Sequence, residues 1–270
     1  MAKELKPIND KHLIGIFDSH CHYDDHAFDD DRYEMIEAIH QNGVSHFVNI
    51  GCDIESCYTG IALAEKYDYF HSTVGIHPEA SARTLEQHPD YLSTLKTLLQ
   101  HEKVVALGEI GLDYYYDDGA PRDLQRLVFE QQLALAVEMD VPVVIHSRDA
   151  AADTMELLKK YRPKGVVHCF SGSPETAVEV VKLGMYVGFT GVLTFNNAKK
   201  AVACAEVVPN DRFLLETDCP YMAPTPFRGK RCQSDMIAHT AEKMAEIKGI
   251  TVQEVLDLAN ENAKRLYGIL

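Results

Sequence analysis

Five histidines and two acids in this 270-residue chain stand where short apolar runs give out, and those residue types in those places suit metal-assisted hydrolysis. Ile14-Gly15-Ile16-Phe17 is followed by Asp18-Ser19-His20-Cys21-His22, and a later run ends in Gly75-Ile76-His77-Pro78. Glu109 lies in Gly108-Glu109-Ile110-Gly111-Leu112-Asp113. His146 closes Val144-Ile145-His146, His168 closes Val166-Val167-His168, and Asp218 ends Leu215-Glu216-Thr217-Asp218. His20 and His22 are two apart, so on an extended strand both rings point to one side and can hold one ion. Glu109 offers two oxygens and could bridge two ions. His146 and His168, from successive runs, could hold the second, while Asp218 could ligate and take a proton from water. Buried ionisable groups without partners are costly, and a shared cation removes that cost. Two ions about 3.5–4 Å apart lower the pKa of a water between them and stabilise charge on a phosphoryl oxygen, so no protein nucleophile is needed. Imidazole-rich ligation suits zinc or manganese better than magnesium, and the metal's identity stays open among the three.

These residues need a scaffold that brings distant positions to one mouth. Eight β-rich runs recur: Leu13–Asp18, Ser45–Ile50, Tyr69–Gly75, Val104–Glu109, Val141–His146, Gly165–Cys169, Tyr186–Thr190 and Phe213–Thr217. Between them lie amphipathic stretches such as Arg122–Met139, with Leu124, Leu127, Val128, Leu135 and Ala136 at helical spacing. Near-continuous apolar strands, each followed by a helix, predict an α/β chain folded as a single (β/α)8 barrel over residues 1–270, with its chemistry at the C-terminal ends of the strands. An open doubly wound sheet is the rival, but no Gly-x-Gly-x-x-Gly follows an early strand. Ser234–Lys248 and Val252–Tyr267 are expected to complete the outer ring of helices.

Composition narrows the function. A formal charge of −15 argues against a surface that coats long nucleic acid, but a carboxylate-rich mouth carrying divalent cations inverts the local field. No apolar run approaches the roughly 18 residues of a membrane span. The N-terminus lacks a signal-peptide core, so a cytoplasmic location is expected and no protein partner is called for. Seven cysteines without a Cys-x-x-Cys pair fit reduced thiols, and Cys21, Cys169 and Cys219 read as small packing residues.

Other residues admit two readings. His77 either orients or protonates substrate, or is a structural histidine. Arg148 either grips a phosphate or pairs with Asp149. Asp113 caps or pairs near Tyr114-Tyr115-Tyr116, and those tyrosines either stack on bases or pack a loop. In Phe227-Arg228-Gly229-Lys230-Arg231, the residues Arg228, Lys230 and Arg231 are candidate substrate contacts, with a solvated loop as the alternative.

Taken together, the strings FDSHCHYD, VGIHPEA, ALGEIGLDYYY, QRLVFEQQLALAVEMDVPVVIHSRDA, GVVHCFSGS, FLLETDCPYMAP, PFRGKR and NAKRLYGI resemble the TatD-related metal-dependent deoxyribonucleases of the amidohydrolase-like barrels. They fall in family order and span nearly the whole chain. The resemblance implies a TIM barrel that uses two divalent ions to remove nucleotides from the 3′ ends of single-stranded or damaged DNA. It puts the metal ligands on His20, His22, Glu109, His146, His168 and Asp218, and His77 near the scissile group. One stretch departs: Cys232-Gln233-Ser234 stands where the family usually shows Asn-Glu-Pro. A metal hydrolase of another bond (amide, ester or aminoacyl-tRNA) shares every ligand, whereas a mere metal-binding scaffold has no need of a proton acceptor at Asp218.

Overall fold

The computed structural model describes residue 9 and residues 12–270. Its first four strands are β1 (Ile16–Cys21), β2 (Val44–Asn49), β3 (Phe70–Val74) and β4 (Val104–Asp113). The remaining four are β5 (Val143–Arg148), β6 (Gly165–Val167), β7 (Tyr186–Phe189) and β8 (Phe213–Leu215). Helices α1 (Arg32–Gln41), α2 (Ile54–Ala64), α3 (Ser81–Gln87), α4 (Tyr91–Leu98) and α5 (Arg122–Met139) alternate with the early strands. They are followed by α6 (Ala151–Tyr161), α7 (Pro174–Lys182), α8 (Lys199–Val207), α9 (Ile237–Lys248) and α10 (Val252–Tyr267). The eight strands lie side by side in chain order, every neighbouring pair parallel. Past β8 the chain returns to β1 through a parallel bridge between Cys21 and Cys219, with His22 N donating to Cys219 O at 2.9 Å and Asp218 N to His20 O at 2.9 Å. The architecture is a (β/α)8 barrel.

Alternation along the strands sorts side chains to two sides. Phe17, Val48, Ala106, Val144, Val166, Tyr186 and Leu214 pack together inside the barrel, and Ala263 and Tyr267 of α10 join them from its base. The opposite faces, including Phe47, Phe70, Ile145, Val187 and Phe213, meet the helices in a larger cluster. Continuing the inward series two residues at a time carries Val144 to His146, Val166 to His168, and Leu214 to Glu216 and Asp218. The core's own periodicity therefore delivers polar groups to the mouth.

Element bounds shift where polar residues find partners. β1 runs on to Cys21 because Asp18, Ser19 and His20 are buried and bonded across the barrel seam. β4 passes Glu109 to end at Asp113. β6 and β8 stop short because Cys169 (φ 38°) and Asp218 (φ 58°) turn into the left-handed region. Helices α5 and α10 have the expected bounds, and α10 carries a capping box between Thr251 and Glu254 and a left-handed Gly268 at its end. The stretch expected as one helix from Ser234 begins as a 3-10 turn, Ser234–Met236, before α9. Among the described residues no helix is long and apolar enough to cross a membrane.

Candidate metal centre

Glu109 is 3% exposed at the centre of the mouth, and its two oxygens face different partners. Oε2 lies 3.6 Å from His20 Nε2, which is 3.2 Å from His22 Nε2 and 3.5 Å from Asp218 Oδ1. Oε1 lies 2.7 Å from His168 Nε2 and 2.8 Å from His146 Nδ1, and those two nitrogens are 3.4 Å apart. Asp218 Oδ1 also sits 3.3 Å from His22 Nε2. The six residues expected as ligands, drawn from five strand ends, thus converge on one carboxylate. His77 stands beside them, Nε2 4.0 Å from Glu109 Oε1.

The donor set fits cations. Two ligand nitrogens on a tetrahedral zinc at about 2.0–2.1 Å are separated by roughly 3.3 Å, close to the spacing of the His20 and His22 nitrogens. Burial alone would raise the pKa of Glu109, but His168, His146 and His20 outweigh it and hold the carboxyl well below its ordinary range. Burial, then the neighbouring His168, pushes His20 well down, so its ring is neutral. Burial likewise opposes ionisation of Asp218, and its contacts with His22, His20 and His168 reverse the effect. Burial opposes charge on His22, His146 and His168, but neighbouring acids, and Cys52 beside His22, hold all three above the ordinary imidazole value, so a divalent cation would bind here by displacing their protons.

Further residues hold these candidate ligands in place, in roles not expected from the sequence. Asp113 Oδ2 meets His146 Nε2 at 2.9 Å, leaving Nδ1 for Glu109 and the centre. A carboxylate on the far nitrogen sets the tautomer and the ring angle. Burial would raise Asp113, but this bond and the Tyr115 amide, 2.9 Å from Oδ1, keep it low. Glu216, 1% exposed, accepts from Cys169 N and stands 3.6 Å from His168 Nδ1. Gly188 makes room for it: a Cβ there would lie 2.6 Å from both carboxylate oxygens. Asp18 accepts from Thr217 N at 3.0 Å and from Ser234 Oγ at 2.6 Å, tying β1 to the loop that bears Asp218. The available signal was positional, since Asp113 closes the strand of Glu109 and Glu216 shares the inward face of Asp218.

The rim is more mixed. The mouth opens into a cavity of about 780 Å³ whose lining includes His77, Arg148, Tyr116 and Tyr221. Arg148 is held by rings, its guanidinium 3.6 Å from the centre of Tyr115 and 5.1 Å from that of Tyr116. Arg228 lies over Phe195 at 3.7 Å, and Lys230 stands 5.5 Å from the Phe227 ring; both are exposed. Arg231 is turned to another use. Its Nη1 and Nη2 pair with the two oxygens of Asp31 at 2.7 and 2.6 Å, and Nη1 also reaches Ala27 O. Arg231 therefore braces its loop against the segment that bears Ala27 and Asp31.

A (β/α)8 barrel whose strand ends gather four histidines around shared carboxylates is the arrangement of a metal-dependent hydrolase. Residues 17–268 match the family model for TatD related DNase, and the chain belongs to that family. It is 41% identical over 257 residues to the uncharacterized metal-dependent hydrolase YabD of Bacillus subtilis, covering 94% of this chain and 99% of that one. It is 33% identical to the 3′-5′ ssDNA/RNA exonuclease TatD of Cronobacter sakazakii, over 93% of this chain and 97% of that protein. Among solved structures, the TatD homolog YJJV from Escherichia coli superposes with a TM-score of 0.86 at 32% identity, covering 95% of this chain and 99% of that one.

Proposed function

We propose that the protein is a divalent-metal-dependent 3′-to-5′ exodeoxyribonuclease acting on single-stranded or damaged DNA, with two ions at the mouth of the barrel. The observation that carries this is Glu109, whose two oxygens each face a separate histidine group. His20, His22 and Asp218 would hold one ion with Oε2, and His146 Nδ1 and His168 Nε2 the other with Oε1. Bound there, the ions supply Lewis acidity and an activated water.

The remaining work falls to the chain's own groups. Asp218, kept ionised by its histidine neighbours, accepts the proton that attack on phosphorus releases. His77 is held down to about 4, chiefly by burial, and is neutral at pH 7. Its Nδ1 accepts from Glu79 N at 3.3 Å, which leaves the proton on Nε2, the nitrogen on the Glu109 side. A neutral N–H there donates to a phosphoryl oxygen without competing for the cations. Arg148 adds positive charge at the rim, where the rest of the scissile strand must pass. The names carried by relatives such as the Cronobacter exonuclease support nucleic acid as the substrate.

The test is a substrate panel of single-stranded DNA, duplex DNA, RNA, small esters, amides and aminoacyl-tRNA, after chelation and after add-back of zinc, manganese or magnesium. Shortening of a 5′-labelled single strand from its 3′ end, lost on chelation and restored by metal, is the expected result. Turnover of esters, amides or aminoacyl-tRNA with DNA left intact would replace the nuclease by a hydrolase of another bond on the same centre.

A further inference from the structure

We infer that Tyr115, Tyr116 and Arg148 form a stacking platform for one unpaired nucleobase beside the metal centre. This deepens the nuclease reading and rests on it. Three tyrosines follow the last residue of β4, and they part company at once. Tyr114 is absorbed into the fold: its hydroxyl donates to Asp153 at 2.8 Å and Arg122 lies over its ring at 4.5 Å. Tyr115 and Tyr116 remain 54% and 47% exposed. They meet edge to face at 4.9 Å, and Arg148 lies against both, donating from Nη1 to the Tyr116 hydroxyl at 3.3 Å. The result is a patch of two rings and a flat cation, on a chain of net charge −15.

The patch is registered to the chemistry. Asp113 accepts the Tyr115 amide on one oxygen and faces His146 Nε2 with the other, both at 2.9 Å. Asp113 and Arg148 are register partners across β4 and β5, and Tyr114 N donates to Arg148 O at 2.9 Å. One carboxylate therefore positions His146 and the start of the aromatic patch together. Tyr116 and Arg148 line the same cavity as His77 and His146. Aromatic faces and guanidinium planes hold any base by stacking, without reading its edge. A paired base inside a duplex has no free face to offer. The platform thus favours unpaired ends of any sequence, with the base fixed close to the bond being cut.

Binding and cutting are read separately. Two single-stranded oligonucleotides, alike except that one is abasic at its 3′-terminal nucleotide, carry a phosphorothioate last linkage to slow turnover and are titrated into metal-loaded protein. The intact strand is expected to bind roughly 10-fold more tightly, within the range for stacking of one base. A 2-aminopurine at that position should lose fluorescence on binding, with or without metal. Tyr115→Ala with Tyr116→Ala should bind both strands alike, and Tyr115→Phe with Tyr116→Phe should keep the preference. Equal binding of the two strands by the unaltered protein, or a preference that survives the double alanine variant, overturns the platform. Cleavage of unmodified strands without that preference leaves the nuclease standing and removes only the platform. A preference for the base without any cleavage keeps the platform and overturns the nuclease.

Discussion

At the scale of single residues, His146 illustrates how much of a ligand's behaviour is set from behind. Its Nδ1 faces Glu109 only because Asp113 occupies Nε2. Asp113→Asn keeps the shape and removes the charge, so metal affinity or activity should fall roughly 10- to 100-fold. Isothermal titration should place the loss on one class of site and leave the other unchanged, whereas an equal loss at both sites would point to general loosening of the mouth. The candidate ligands could be picked out in the sequence because each histidine or acid stands within or just beyond an apolar run that reads as buried strand. Asp113 was less so: four residues past Glu109, it carries no sign that β4 continues that far. Arg231 shows a related limit. A basic string looks the same whether it meets a phosphate or, as here, the carboxylate of Asp31 on a distant loop.

Among elements, the closure between β1 and the loop after β8 decides whether His20, His22 and Asp218 stay in reach. Asp18 is the fastening, fully buried, and burial raises its pKa to about 7 against the pull of its Ser234 and Thr217 bonds. Ser234 Oγ accepts from Tyr23 Oη at 2.9 Å while donating to Asp18, so one hydroxyl serves two elements. Ser234→Ala removes one of the two hydroxyl bonds to Asp18 Oδ2, the other coming from Thr217 Oγ1, and should cost about 1–3 kcal/mol, the range for a buried hydrogen bond to a carboxyl group, in urea unfolding of the metal-free protein. A change below about 0.5 kcal/mol would mean that the seam is held by other bonds. The eight strands and the long helices could be read from periodicity, but this fastening could not, since it joins residues more than two hundred positions apart. It also falls where the chain departs from the usual family string, at Cys232-Gln233-Ser234. Ser234 keeps the loop docked, while Cys232 is wholly buried beside it.

For the molecule as a whole, the barrel separates a polar mouth from a base that holds two half-buried histidines. His46 on β2 and His71 on β3 lie 5.8 Å apart between ring centres, and each is lowered to about 4. Burial is the main cause for both, with Lys264 adding to His46 and His46 itself to His71. Because the folded values lie below the unfolded value, their contribution is complete above about pH 6.5 and is lost as pH falls toward 4. Replacing both by Gln should therefore flatten the fall in melting temperature across that window, measured on metal-free protein; an unchanged slope would show that the base does not sense pH. The central claim concerns the other end, where Glu109 is expected to stand between two ions. Anomalous diffraction from crystals grown with zinc or manganese tests it most directly. Two peaks about 3.5–4 Å apart, one toward His20 and His22 and one toward His146 and His168, are the expected result. A single peak, or density in which Glu109 is bonded to histidine protons and no metal at all, would contradict the account.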